Sequence, residues 1–294
     1  MHRHFFPGIF GVIVNVERVG ADRCVRPPLF TVVIIRFGRI RADTEVRPYE
    51  RLRVRKLIIA IDGPAAAGKS TAAKNLAKRL GYLYLDSGAL YRAIAWKLLQ
   101  EKINPESQEE VEAAAQSIEI EFRLKGEQTE IWVGGIDATP SLRLPEVTRV
   151  SSIASTYPGV RKKLLSIQRS IGSGGGVVME GRDIGTVVFP EADLKFYLDA
   201  TTPVRGLRRH KELEQKGIPS DLEKTTREIE ERDLKDSRRH VAPLKKSEDA
   251  VVIDSTPLNL EEVIAQMVQE VEKKLKIRGQ RSGAGGRGER IKEF

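Results

Sequence analysis

Between residues 56 and 275 the chain alternates two kinds of apolar pattern. Five short runs, 57–61, 82–85, 177–179, 194–198 and 251–253, are almost continuously apolar. A strand covered on both faces reads this way, since neither side of the pleat meets water. The stretches between them carry helical patterns instead, and the alternation predicts an α/β fold around a five-stranded parallel sheet. Three helix starts carry capping-box spacing, a polar side chain with a glutamate three residues on: Ser107 with Glu110, Ser220 with Glu223, and Asn259 with Glu262. The last of these helices is predicted to run to about Lys274.

Two long intervals interrupt the alternation. The first, about 87–173, contains IEIEF and IWV on either side of the turn-rich KGEQ, which predicts an antiparallel hairpin. The second, about 205–241, is helical and crowded with arginine, lysine, glutamate and aspartate. Charged insertions among buried strands are where mobile, substrate-handling elements tend to lie.

Charge separates the ends from this body. The 294 residues carry 50 Lys+Arg and 41 Asp+Glu, a formal net charge of +9. Residues 1–55 hold eleven arginines, no lysine and five acids, and residues 276–294 hold six basic and two acidic residues. The 33 basic and 34 acidic residues of 56–275 nearly cancel, which weakens any nucleic-acid reading drawn from the overall charge. The apolar HFFPGIFGVIVNV near the start is broken by proline and glycine and is too short to cross a bilayer. Three readings of the basic extension 1–55 stay open: a non-structural or mis-assigned leader, a targeting segment, and a small added module. The closing RGQRSGAGGRGERIKEF is glycine-rich and charged, so 276–294 is expected to be a disordered tail. One cysteine, Cys24, excludes an internal disulfide, and with four histidines a Cys/His structural metal site is not expected. A cytoplasmic protein is the expectation.

The strongest chemical signal is GPAAAGKST at 63–71, which follows the apolar LIIAID and opens the helical pattern AAKNLAKRL. This is G-x-x-x-x-G-K-[ST] in its strand, loop and helix setting. Gly63 and Gly68 permit a close backbone approach, so that successive N–H groups cradle phosphate oxygens at a helix N-terminus. The whole run, Gly63, Pro64, Ala65, Ala66, Ala67, Gly68, Lys69, Ser70 and Thr71, is therefore a candidate ATP site. Lys69 supplies a mobile charge to the β and γ phosphates, and Ser70 offers its hydroxyl to Mg²⁺. The loop alone does not separate a kinase from a motor, a GTPase or a helicase.

Three further clusters bear on that choice. LDSGALYR at 85–92 sets Asp86, Ser87, Tyr91 and Arg92 at a strand-to-helix junction, the edge where doubly wound sheets bind ligands; a plain helix cap is the other reading. EGRDIGTVVFP at 180–190 brings Arg182 and Asp183 to the same edge, unless the two merely form a salt bridge. ERDLKDSRR at 231–239 spaces Arg232, Asp236 and Arg239 at i, i+4 and i+7, hence on one helix face, which by itself reads as a solvated charged face.

Taken in order and at these intervals, GPAAAGKST, LDSGALYR, GRDIGTVVFP, ERDxxDSRRxVAPL and VIDSTPLNLEEV resemble the bacterial cytidylate kinase family over about residues 56–274. The resemblance implies a P-loop nucleoside monophosphate kinase over 56–275. Its three-layer α/β fold would carry a monophosphate-binding insertion with a small β-sheet at about 87–173 and a helical lid at about 205–241. It also implies transfer of the γ-phosphoryl group of ATP to CMP or dCMP with Mg²⁺; beside it, the expectation is a monomer that needs neither membrane nor nucleic acid.

Carried over to matching positions, Ser87 and Arg92 stand near the acceptor's sugar and phosphate, with Tyr91 in the same set and Arg182 and Arg239 also at that phosphate. Asp236 matches a ribose-binding carboxylate, while Ser152 and Arg161 of SSIASTYPGVR, with Asp183, match residues that recognise the cytosine edge. Arg232 and the run Arg205, Arg208 and Arg209 lie in the lid, where the family closes positive charge over ATP. Lys69, Arg182, Arg232 and Arg239 form the implied catalytic set. The loop departs from the family's PSGAGK in replacing a small polar position with alanine, at Ala66 or its neighbour, and both tails lie outside the resemblance. The alternatives are a kinase for another small acceptor, such as UMP, AMP or shikimate, and a nucleotide-dependent RNA-binding or switch protein.

Overall fold

The computed structural model describes residues 10–18, 31–39, 56–125 and 128–283. The chain forms two compact units, one from Lys56–Leu85 and Gly175 onward, the other from Asp86–Gly174 with the strands that precede Lys56. The elements begin with β1 (Phe10–Arg18), β2 (Thr31–Arg39), β3 (Ile58–Asp62), α1 (Lys69–Leu80), β4 (Leu83–Asp86) and α2 (Ser87–Gln100). Next come α3 (Gln108–Ser117), β5 (Ile120–Lys125), β6 (Gln128–Val133), β7 (Ile136–Asp137), α4 (Pro145–Ala154) and α5 (Pro158–Gly172). The chain closes with β8 (Val177–Gly181), β9 (Leu194–Asp199), α6 (Thr202–Gln215), α7 (Leu222–Ser237), β10 (Val251–Asp254) and α8 (Leu260–Gly283).

The unit that holds the phosphate loop is built on the expected five-stranded parallel sheet, in the order β10-β9-β3-β8-β4. β3 is the middle strand, and Ile59, Ala60 and Ile61 are buried on both faces, which is why that run contains no polar residue. From β3 the chain goes to the β4 edge, returns to β8, and then crosses to β9 and β10 on the other side. The carboxyl end of β3 therefore lies at the switch point where such sheets bind ligands. Ala72, Ala73, Leu76 and Ala77 recur on one face of α1 and pack with Val263, Met267 and Val271 of α8 over Ile59, Ile61, Phe196 and Leu198. Each large aliphatic side chain buried there contributes about 2 kcal/mol of transfer free energy.

The strands end later than their apolar runs. β3, β4, β9 and β10 each close on an aspartate, Asp62, Asp86, Asp199 and Asp254, and β8 has Glu180 one residue from its end. Backbone pairing continues through these acids although the apolar pattern has stopped.

In the second interval, α6 and α7 pack so closely that a Cβ on Gly206 would stand 2.2 Å from the Thr226 hydroxyl oxygen; a side chain there would force the two helices apart. The cap of α7 is Asp221, whose side chain accepts from the Lys224 N–H at 2.7 Å, and not Ser220 as the capping-box spacing predicts. A carboxylate favours the positive helix end more than a hydroxyl does, and Ser220 instead bonds the Thr225 hydroxyl at 2.9 Å. Asn259 and Glu262 form their box, bonding reciprocally at 3.0 and 2.7 Å, while Ser107 caps α3 by accepting from the Glu110 N–H at 3.5 Å and gives its own N–H to the Asn104 carbonyl at 3.1 Å. α7 ends at Ser237, so Arg239 lies beyond the helix rather than on its face. α8 runs past the expected end near Lys274 to Gly283, because Glu272, Lys273, Lys274 and Lys276 are good helix formers whatever their charge. The tail beyond Gly283 lies outside the described residues.

In the other unit α2 packs against α4, and Leu90, Ala93 and Ile94 of the first and Val147 and Val150 of the second are buried. β5 and β6 form the expected hairpin, in register from Ile120↔Val133 to Lys125↔Gln128, and β7 extends it. Its tip, 126–127, is outside the described residues. Ile120 and Phe122 alternate inward, whereas Glu121 and Arg123 point the other way, where the Arg123 guanidinium lies 3.5 Å over the Trp132 ring. Two strands not assigned from the sequence, β1 and β2, continue this sheet, with β2 antiparallel to β5 from Ile34↔Arg123 to Phe37↔Ile120. The three readings of 1–55 otherwise concern positions outside the described residues. No helix among the described residues is long and apolar enough to cross a membrane.

Candidate active site

The loop Gly63–Thr71 leaves the end of β3 and enters α1 at Lys69. Gly63 is at φ 148, and a Cβ there would fall 2.0 Å from the Leu198 carbonyl oxygen, so no other residue fits against β9. Gly68 caps α1 at φ 90. Between them Ala66 is held at φ 58, the left-handed region that an L-residue enters at a cost of about 1 kcal/mol. Ala66→Gly is therefore expected to raise the unfolding free energy by up to about 1 kcal/mol in denaturant melts. A lower midpoint in the variant would contradict the strain.

Lys69 is buried, and its Nζ donates to the Pro64 carbonyl at 2.5 Å. Burial first, then the guanidinium groups of Arg182 and Arg232, draw its ammonium down to about 7, against the pull of Glu180 and Asp233. Two guanidinium groups therefore act on the buried lysine at the start of α1, with Glu180 and Asp233 acting against them.

Asp62, at the end of β3, was not singled out from sequence. Its buried carboxylate accepts from the Ile184 and Gly185 N–H groups at 2.8 and 2.7 Å. This ties the single π-helical turn Ile184–Val188, which Asp183 caps, to the start of the phosphate loop. Burial pushes the Asp62 carboxyl up to about 6, and Asp183 adds to it, while the two N–H groups and Lys69 oppose it. Its ordinary value is 3.8, so the folded protein holds the proton more tightly than the unfolded chain. The stability this supplies is complete below about pH 4 and is lost as pH rises through about 6. From pH 7 to pH 5 the unfolding free energy of the wild type is expected to gain about 1 kcal/mol on that of Asp62→Asn. Equal shifts in both proteins would contradict the assignment.

Asp236 brings two of the candidate arginines together. Its buried carboxylate accepts from Arg182 Nε at 2.9 Å with one oxygen and from Arg239 with the other. Arg239 reaches it from beyond the end of α7, so the constellation survives the loss of helical spacing. Arg232 is exposed on α7. Of the arginines in α6, Arg205 is buried and donates to Ala200 O at 2.8 Å, Ala65 O at 3.0 Å and Thr202 Oγ1 at 3.1 Å. Arg208 donates to Ser255 Oγ and Ser255 O at 2.9 and 2.6 Å, and Ser255 Oγ in turn donates to Ala67 O of the loop at 3.2 Å. Arg209 pairs with Glu212 at 2.8 Å.

In the other unit, Ser87 is the first residue of α2 and is buried. Asp86 caps that helix through the Ala89 N–H at 3.2 Å and pairs with Arg92 at 2.6 Å, so the capping reading of LDSGALYR holds for Asp86 while Arg92 is drawn to the same end. Burial pushes the Asp86 carboxyl up, but Arg92, Arg143 and the Ala89 N–H outweigh it and hold it below the usual carboxylate range. The buried Arg161 of α5 donates to Ser155 O at 3.2 Å and lies 5.6 Å from the Tyr91 ring centroid, so these two predicted residues meet. Ser152 is exposed on α4.

The model of the cytidylate kinase family matches residues 59–273. A cytidylate kinase of Streptococcus pneumoniae (strain 70585) is 47% identical over 219 residues, covering 74% of this chain and 98% of that protein. One from Geobacillus sp. (strain WCH70) is 46% identical over 217 residues, 74% of this chain and 97% of that protein. Among solved structures, a gluconokinase from Sinorhizobium meliloti 1021 is similar at 15% identity with a TM-score of 0.38, over 77% of this chain and 99% of that one. The matched span holds the sheet, the phosphate loop and each candidate residue described above, and this chain belongs to the cytidylate kinase family.

Proposed function

We propose that this protein transfers the γ-phosphoryl group of ATP to CMP or dCMP, giving ADP and CDP or dCDP. A phosphate oxygen of the acceptor attacks the γ-phosphorus in line, and the bond from that phosphorus to the β-γ bridging oxygen breaks, so that ADP leaves. The observation that carries the reading is the glycine-bounded loop that leads from β3 into the N-terminus of α1, with Lys69 buried at its end and Arg182 and Arg232 acting on it. In phosphoryl transfer the protein mainly aligns donor and acceptor and neutralises charge on the phosphoryl oxygens, and such an arrangement does that.

In this reading the backbone of residues 63–71 holds the ATP phosphates, with Lys69 on the β and γ groups. Arg182 and Arg239, set side by side by Asp236, face the acceptor phosphate, while Arg232, Arg208 and Arg209 supply charge from the helices of the lid. Ser87, Tyr91 and Arg92 bind the acceptor's sugar and phosphate, and Ser152, Arg161 and Asp183 read the cytosine edge. Ser70 would hold Mg²⁺. One hydroxyl at a helix N-terminus fits an ion that keeps several waters and takes its other ligands from phosphate. Among the described residues no cluster of three His, Cys, Asp or Glu offers a protein cage, and none is needed. When bound, Mg²⁺ neutralises charge developing on the β and γ oxygens.

We place the protein in the cytoplasm as a monomer with no need of nucleic acid, and family membership favours this over an RNA-dependent switch. The test is to follow label from γ-labelled ATP: it should appear in CDP, one for each ADP formed. Label released as free phosphate at the same rate with and without CMP would count against the proposal.

A further inference from the structure

Ala65, the third residue of the phosphate loop, has both of its backbone polar groups held by side chains from the lid helices. Its N–H donates to Asp233 Oδ1 of α7 at 2.8 Å, and its carbonyl accepts from Arg205 Nη1 of α6 at 3.0 Å. The same Arg205 nitrogen pairs with the second Asp233 oxygen, closing a ring of three residues. Arg205 is buried, and all three of its nitrogens donate within the protein.

The two peptide planes so fixed lie on either side of Ala65. The first carries the Pro64 carbonyl that receives Lys69 Nζ, so the acid that orients its N–H also orients the acceptor on which the lysine rests. The second leads into Ala66, whose left-handed φ needs outside support to persist. We propose that Asp233 and Arg205 are a positioning pair, a clasp from the lid helices that sets the phosphate loop and its lysine for ATP. Arg205 then acts through the loop backbone rather than on ATP itself. The inference rests on the reading of this loop as the ATP site.

The test compares wild type, Asp233→Asn, Asp233→Ala and Arg205→Lys, first by titrating ATP alone and then by varying ATP and CMP separately in steady state. Losing a charge-assisted hydrogen bond that fixes the loop should weaken ATP binding at least about tenfold in Asp233→Ala. Asp233→Asn keeps an oxygen for the Ala65 N–H and should lose less. Arg205→Lys keeps the charge without the fork and should act in the same direction as Asp233→Ala. The double variant Asp233→Ala/Arg205→Lys should lose no more than its worse single variant, since both break one ring. KM for ATP should rise while KM for CMP stays within about twofold, a split that general destabilisation would not produce.

Equal changes for ATP and CMP, or unchanged ATP affinity in every variant, would overturn the proposal. If Asp233→Ala does not fold, Asp233→Asn and Arg205→Lys decide it by the same readouts. A wild type that binds ATP without phosphorylating CMP would sink the acceptor assignment and leave the ATP titrations to judge the clasp; one that does not bind ATP would overturn both.

Discussion

Lys69→Ala is expected to lower kcat at least about a hundredfold, as the loss of one preorganised charge facing a transferring group does. The variant removes the only loop side chain whose charge can follow the phosphoryl group, since Ala65, Ala66 and Ala67 contribute backbone alone. Folding should not suffer. Burial first, then the neighbouring guanidinium groups of Arg182 and Arg232, draw the ammonium down to about 7, so its removal relieves an electrostatic cost. A variant with an unchanged or higher melting midpoint and turnover reduced at least about a hundredfold separates chemistry from stability. Near-normal turnover would contradict the assignment of the loop.

Asp183→Asn is expected to narrow the preference for CMP over UMP mainly by weakening CMP. Cytosine offers an amino donor to a carboxylate where uracil offers a carbonyl oxygen, so UMP leaves buried polar groups without partners. Sites of that kind discriminate strongly, and CMP should exceed UMP by at least about a hundredfold in kcat/KM for the wild type. The structural role open to Asp183 is to hold Arg182 by a salt bridge. Arg182 Nε donates to Asp236, so the arginine has a carboxylate partner that the substitution leaves in place. Equal loss on both substrates, with the ratio unchanged, would remove Asp183 from base recognition. Its neighbour Asp62 makes the choice of asparagine preferable to alanine, because the turn between them is tied by backbone N–H groups and tolerates an isosteric side chain better than a cavity.

The five core strands were legible because each lies in a nearly continuous apolar run, with Lys195 of β9 the one interruption, but each run was ended before the acid that follows it. Asp86 was found through LDSGALYR, but Asp62, which ties the Ile184 turn, and Glu180, which sits beside Lys69 and accepts from the Tyr84 hydroxyl at 2.6 Å, were missed. The signal was present in LIIAID, YLYLD, VVME, FYLD and VVID, where every run closes on an acid. Asp233 was hidden differently. Within ERDLKDSRR it reads as one more surface charge, and its partner Ala65 lies 168 residues away. Arg239 was placed on a helix face by carrying the 3.6-residue period past Ser237, where the helix stops; its pairing with Asp236 is made from the turn that follows. β1 and β2 went unassigned because their runs lie in the basic extension, read as a leader, a targeting segment or an added module, and β2 finds its partner β5 far along the chain. Loop, strands and arginines were local patterns; the carboxylates that orient them act across the fold.

The central claim, a phosphoryl transfer gated by the cytosine base, is tested most directly by coupled ADP release from the wild type with no acceptor, CMP, dCMP, UMP and AMP in turn. ADP release should track added CMP or dCMP, with kcat/KM at least about a hundredfold lower for UMP and little ATP consumed without an acceptor. ADP release at one rate whatever monophosphate is present, or a preference for UMP or AMP, would contradict it.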